Sequence, residues 1–102
     1  MDNHFSQNKF DLLRKNAVLE LKNLGDRVKA NLNAEFKYEM GVIDLLITQS
    51  MQDGESIQQI VEDAVLPDVA DVILNNMAQK KQIHTVTISS NRKNQQLNYT
   101  VT

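Results

Sequence analysis

At 102 residues and without a cysteine, the chain has the length of one domain and cannot form a disulfide, a thiolate metal site or a thiol nucleophile. Its 41% hydrophobic and 24% charged residues are those of an ordinary globular protein. The formal charge of −2 is unevenly divided: six bases against four acids over residues 1–33 leave +2, and five bases against nine acids over residues 34–102 leave −4.

The first residues, Met-Asp-Asn-His-Phe-Ser-Gln, contain no apolar h-region, and the densest apolar stretch, Gly41 to Ile47, is interrupted by Asp44. A cytoplasmic protein without a membrane span is therefore expected. Residues 1–33 read as an amphipathic helix. Phe10, Leu13, Ala17, Leu21, Leu24, Val28 and Leu32 recur at steps of three or four and fall on one narrow stripe. Leu12 and Leu19 lie nearly opposite and require a second partner. If the helix runs unbroken through Gly25-Asp26 over residues 8–32, it is about 37 Å long. That exceeds the breadth of about 34 Å expected of a 100-residue domain. Such a helix must bend at Gly25 or reach out to a second copy. The stripe Phe10, Leu13, Ala17, Leu21, Leu24 and Val28 is accordingly a candidate dimer seam.

The spacing next predicts a broadly apolar helix over about 34–51. Phe36, Met40, Ile43, Leu46 and Ile47 lie on one side, and Tyr38, Val42 and Leu45 on another. Gln52-Asp-Gly-Glu55 reads as a turn. Ser56-Ile-Gln-Gln59 has the form of a capping box, opening a short helix over 56–65. Pro67 suits the first turn of another helix, 67–81, because its missing amide hydrogen costs nothing there. On that helix Leu66, Val69, Ala70, Ile73 and Met77 face inward, while Asp68, Asp71, Val72, Asn75 and Gln79 face outward.

From Gln82 the apolar period changes from helical to alternating. Ile83, Val86 and Ile88, then Leu97, Tyr99 and Val101, bracket Ser90-Asn-Arg-Lys-Asn-Gln95, a hairpin over 82–102 with a basic tip. Pairing Ile88 with Leu97, Val86 with Tyr99 and His84 with Val101 puts the apolar residues on one face. The expected fold is thus mainly α with a C-terminal β-hairpin, an α+β chain in one compact domain.

Residues 35–102 resemble the winged-helix superfamily in the order helix, capped helix, helix, two-stranded wing. The junction Leu74-Asn-Asn-Met77 followed by Ala-Gln-Lys-Lys-Gln-Ile83 is similar to that family's passage from recognition helix to wing. The spacing between capped and recognition helices matches with a one-residue slip, and Ala64-Val65 occupies the turn. The resemblance implies a winged-helix-like core preceded by a long N-terminal helix, acting in transcription regulation on duplex DNA. Asn75 and Gln79 would then contact base edges, and Lys80, Lys81, Arg92 and Lys93 phosphates.

The charge count pulls the other way, since DNA modules usually carry a basic winged portion. A second reading therefore makes the face of Asp68, Asp71, Val72 and Asn75 a docking surface for a basic protein partner. Catalysis is not expected. His4 and His84 stand eighty positions apart, Gly25, Gly41 and Gly54 are isolated, and no zinc-binding His-Glu-x-x-His pattern occurs. No metal site or cofactor is anticipated.

Overall fold

The computed structural model describes residues 3–91 and 93–102. Its elements are α1 (Asn3–Leu32), β1 (Glu35–Tyr38), α2 (Met40–Asp53), α3 (Ile57–Ile60), a π-helical segment (Val61–Val65), α4 (Leu66–Ala78), β2 (Thr85–Asn91) and β3 (Gln96–Val101). This is an α+β fold with a C-terminal hairpin, and the hairpin belongs to a three-stranded sheet in the order β1-β2-β3.

α1 is one helix through Gly25, 30 residues long, hence about 45 Å. The molecule measures 56 × 28 × 20 Å, so the helix sets its long dimension. Gly25 does not break it. Its missing side chain admits Phe36 of β1, whose Cδ2 would lie 3.1 Å from an added Cβ. α1 ends where Asn33 turns left-handed (φ 53°) and donates its N–H to the Lys29 carbonyl at 2.9 Å.

The expected helix over 34–51 begins instead as a strand. Glu35-Phe-Lys-Tyr38 alternates, and its half-buried aromatics pair in parallel with β2, Phe36 beside Val86 and Tyr38 beside Ile88. A parallel neighbour needs a long crossover, which α2, α3 and α4 supply. The turn at 52–55 is as expected: Gly54 is left-handed at φ 71° and donates to the Ser50 carbonyl at 3.0 Å.

Ser56 caps α3, its hydroxyl accepting from the Gln59 N–H at 3.1 Å. The reciprocal half of the capping box does not form, because the Gln59 amide donates to Asp63 Oδ2 at 2.7 Å. No turn separates the capped helix from the next one. Ala64 and Val65 lie within the π segment, and the Leu66 N–H reaches back five residues to the Val61 carbonyl. This wide turn falls one residue before Pro67, which has no N–H and whose ring needs room in the preceding turn. The backbone widens, and the helix continues.

β2 and β3 pair antiparallel with Val86 opposite Val101, Ile88 opposite Tyr99 and Ser90 opposite Leu97. The register therefore differs by two residues from the one expected. A two-residue shift keeps every side chain on its own face, so the apolar face survives. The strands extend to Asn91 and Gln96, leaving a shorter tip that hairpins favour. His84, expected on the apolar face, is exposed at the hairpin base, and its N–H donates to the Thr102 carbonyl at 2.7 Å.

The core lies between the sheet and the helices. Ala17, Leu21, Leu24 and Val28 of α1 are buried against Val42, Leu46, Ile57, Val65, Val69, Val86 and Ile88. This corrects the dimer seam. Those four side chains are used within the chain, and Leu13 packs partly against the same core. Of the stripe, only Phe10, at 45%, remains largely exposed. An amphipathic stripe closes on its own domain when the rest of the chain can cover it, because each buried large aliphatic side chain contributes about 1.5–3 kcal/mol.

Candidate interaction surfaces

α1 and α4 leave an open apolar groove between them. It encloses about 570 Å³ and is lined by Leu24, Val28 and Leu32 from α1 and by Leu66, Val69, Ala70, Ile73 and Leu74 from α4, with Arg27 and Asn31 at its rim. Buried Val69 anchors its floor, whereas Leu74 at 62% and Met77 at 54% exposure stand in solvent. The groove exists because α4 carries apolar residues over an arc wider than the core covers. Inward-facing was therefore correct for Val69 and incorrect for Ala70 and Met77, both of which are exposed.

The outward face of α4 is largely as the spacing indicates. Asp68, Asp71, Asn75 and Gln79 are exposed and Val72 is half-buried. Asp68 also faces the hairpin. Burial of the Tyr99 phenol, followed by the charge of the Asp68 carboxylate and a hydrogen bond to it, pushes the Tyr99 pKa well above its ordinary value of 10.0. Asp68 thus lies beside Tyr99 of β3 while remaining exposed. Asn76 donates from Nδ2 to the Val72 carbonyl at 2.8 Å, turning its amide back onto the helix.

The residues expected to grip DNA do not form one surface. Asn75, Gln79, Lys80 and Lys81 gather at the end of α4, where Lys80 (φ 58°) and Lys81 donate backbone N–H groups to the Met77 and Asn76 carbonyls. Lys93 stands beyond the far end of β2, whose seven residues span roughly 23 Å. The tip leans toward α2 rather than α4: Gln95 shares a cleft with Leu45, Gln49 and Gln52, and the Lys93 N–H donates to Asn91 Oδ1 at 3.0 Å. Arg92 lies outside the described residues. On α1, Arg14 Nη2 pairs with Asp44 Oδ1 at 3.8 Å across to α2, an exposed and screened contact of small energetic weight.

Among the described residues, no group of three histidine, aspartate or glutamate side chains converges in a way that could hold a metal ion. No helix among them is long and apolar enough to cross a membrane. Sequence reasoning missed the groove, although Leu66, Ala70 and Ile73 were all assigned to the inward side of α4. Its signal was an excess of apolar residues on both facing helices, which the helical period alone cannot divide between core and surface.

No family model matches the chain, and no solved structure matches it. It is similar to the AAA+ ATPase ClpV1 of Pseudomonas aeruginosa, 33% identical over 88 residues that take in 83% of this chain. The chain spans only about a tenth of that ATPase, 10% of its length, so the similarity covers nearly the whole fold described here and a small part of the relative.

Proposed function

We propose that this chain is a non-enzymatic protein-interaction module, working in the cytoplasm as a packing unit for an ATPase-type partner. The α1–α4 groove carries the reading: Leu74 is 62% exposed beside an apolar floor, with Arg27 at the rim. Such a surface suits the apolar stripe of an amphipathic helix that sets an acidic residue against Arg27. The likeness to a segment of an ATPase supports it, since a unit so small a part of that enzyme, with isolated glycines and no phosphate-cradling loop, acts by contact.

The test has two arms. Isothermal titration of the chain with ATP should give no binding heat, and co-isolation from its native cell should recover a partner that hydrolyses ATP. Ala70→Glu with Leu74→Glu should abolish that recovery, because both positions line the groove and carboxylates there would be desolvated against the apolar stripe of an incoming helix. ATP turnover by the chain alone, or a complex unaffected by the double substitution, would overturn the reading.

A winged-helix DNA reading keeps one specific support, the cluster of Asn75, Gln79, Lys80 and Lys81 at one helix end. Its signature is salt-sensitive binding to mixed duplexes, weakened by Lys80→Glu with Lys81→Glu.

A further inference from the structure

The sheet ends in two unequal edges. At the β1 edge, Glu35 and Glu39 donate their N–H groups to the His84 and Ile88 carbonyls, so Phe36 and Tyr38 turn theirs outward. This edge is guarded. It is four residues long, carries Glu35 and Lys37 in a 3.7 Å ion pair, and has α1 packed on it through the contact of Phe36 with Gly25.

The β3 edge is longer and, among its described residues, carries no charge of its own, although α4 packs on one face of the strand with Asp68 beside Tyr99. Thr85 and Thr102 exchange both backbone hydrogen bonds, at 3.1 and 2.9 Å. By alternation along the printed register, Thr100, Asn98 and Gln96 also turn their peptide groups toward β2. Leu97, Tyr99 and Val101 are therefore left with N–H and C=O groups directed away from the sheet. Gln96-Leu-Asn-Tyr-Thr-Val101 contains no charge, proline or glycine; Leu97, Tyr99 and Val101 are half-buried against the core, and Gln96, Asn98 and Thr100 are exposed. Natural sheets usually blunt such an edge with at least one of those devices.

We propose that β3 is a homodimer interface, pairing antiparallel with β3 of a second copy to form one continuous sheet of both chains. The strand is its own best complement. With the two-fold axis at Tyr99, Leu97 faces Val101 of the second copy, Tyr99 faces its counterpart, and Asn98 faces Thr100. Every outward peptide group is then used, in about six hydrogen bonds at two per facing pair. Apolar residues meet apolar ones on the core side, and amides meet hydroxyls on the other. Side-chain matching selects the occupant. The strand itself is uncharged, so an identical strand sets no like charges directly opposite within the pairing, and the nearest charge, Asp68 beside Tyr99, belongs to α4. The assembly also closes: each outer end of the joined sheet is a guarded β1, so growth stops at two copies.

Sedimentation of the full chain from micromolar to millimolar concentration should show a rise from 11.6 kDa toward about twice that mass. Over the same series, amide exchange followed by NMR should slow at Leu97, Tyr99 and Val101 and stay constant at Asn98 and Thr100. Asn98→Lys with Thr100→Lys, both at exposed positions, sets lysine opposite lysine twice and should weaken the dimer about tenfold. Circular dichroism checks that this variant folds, and the exchange pattern of the unmodified chain tests the interface without it. A monomer at every concentration overturns the proposal. So does a dimer in which those three amides stay unprotected, or one that the folded double variant forms equally well.

Discussion

The two halves of α1 have nearly the same composition and opposite fates. From Ala17 to Val28 its apolar stripe is sealed beneath α2, α3 and β1, with Leu21 wholly inaccessible. Toward its N-terminus Phe10, on the same stripe, stands 45% exposed, and Leu12 and Leu19, on the opposite face, stand 59% and 53% exposed. For Phe10 the difference lies in reach, since the stripe extends beyond the core that covers it, whereas Leu12 and Leu19 lie on the face turned away from that core. Apolar spacing thus identifies a surface that can be buried, and the length of the remaining chain decides how much of it is.

Leu21→Ala sharpens this contrast most. It should cost about 3–5 kcal/mol in chemical denaturation, the range for a large aliphatic lost from a packed core. A loss below 1 kcal/mol, on the order of a surface change, would mean that the C-terminal half is not sealed as described. Gly25→Val is next. A β-branched side chain must push Phe36, already 3.1 Å from the nearest position it would occupy, and should cost about 1–3 kcal/mol. If the variant is more stable than the parent, β1 does not rest on α1 at that point. Leu12→Ala and Leu19→Ala should each stay within about 0.5 kcal/mol in thermal or denaturant melts, as exposed changes do. A larger loss for either would show that the outer face of α1 has a partner in solution.

Much of the fold was legible in the residues themselves. Gly54, Ser56 and Pro67 each mark local backbone chemistry that needs no tertiary context, and the alternation after Gln82 placed both hairpin strands with their faces correct. β1 escaped because four alternating residues between two helices also fit the helical pattern, with Phe36 and Tyr38 serving either period. Its pairing depends on β2, about fifty positions onward, which local spacing cannot register. The dimer seam was identified as an apolar stripe and assigned to the wrong partner, because periodicity does not say whose surface covers it. The candidate site was the least legible part. Asn75, Gln79, Lys80 and Lys81 do share one helix end, but Lys93 was joined to them only by the resemblance, and the groove depends on how far apart α1 and α4 come to lie.

The π turn at Val61–Val65 determines which way α4 looks. One residue of an α-helix corresponds to a rotation of about 100°, and a π turn takes in one residue beyond the α-helical count before the axis resumes. A chain shortened by one residue there would keep α4 helical but would turn Leu66, Ile73 and Leu74 out of line with Leu24 and Val28. The direction of the groove is therefore carried by a single residue of backbone, at a place where no groove residue other than Leu66 adjoins it.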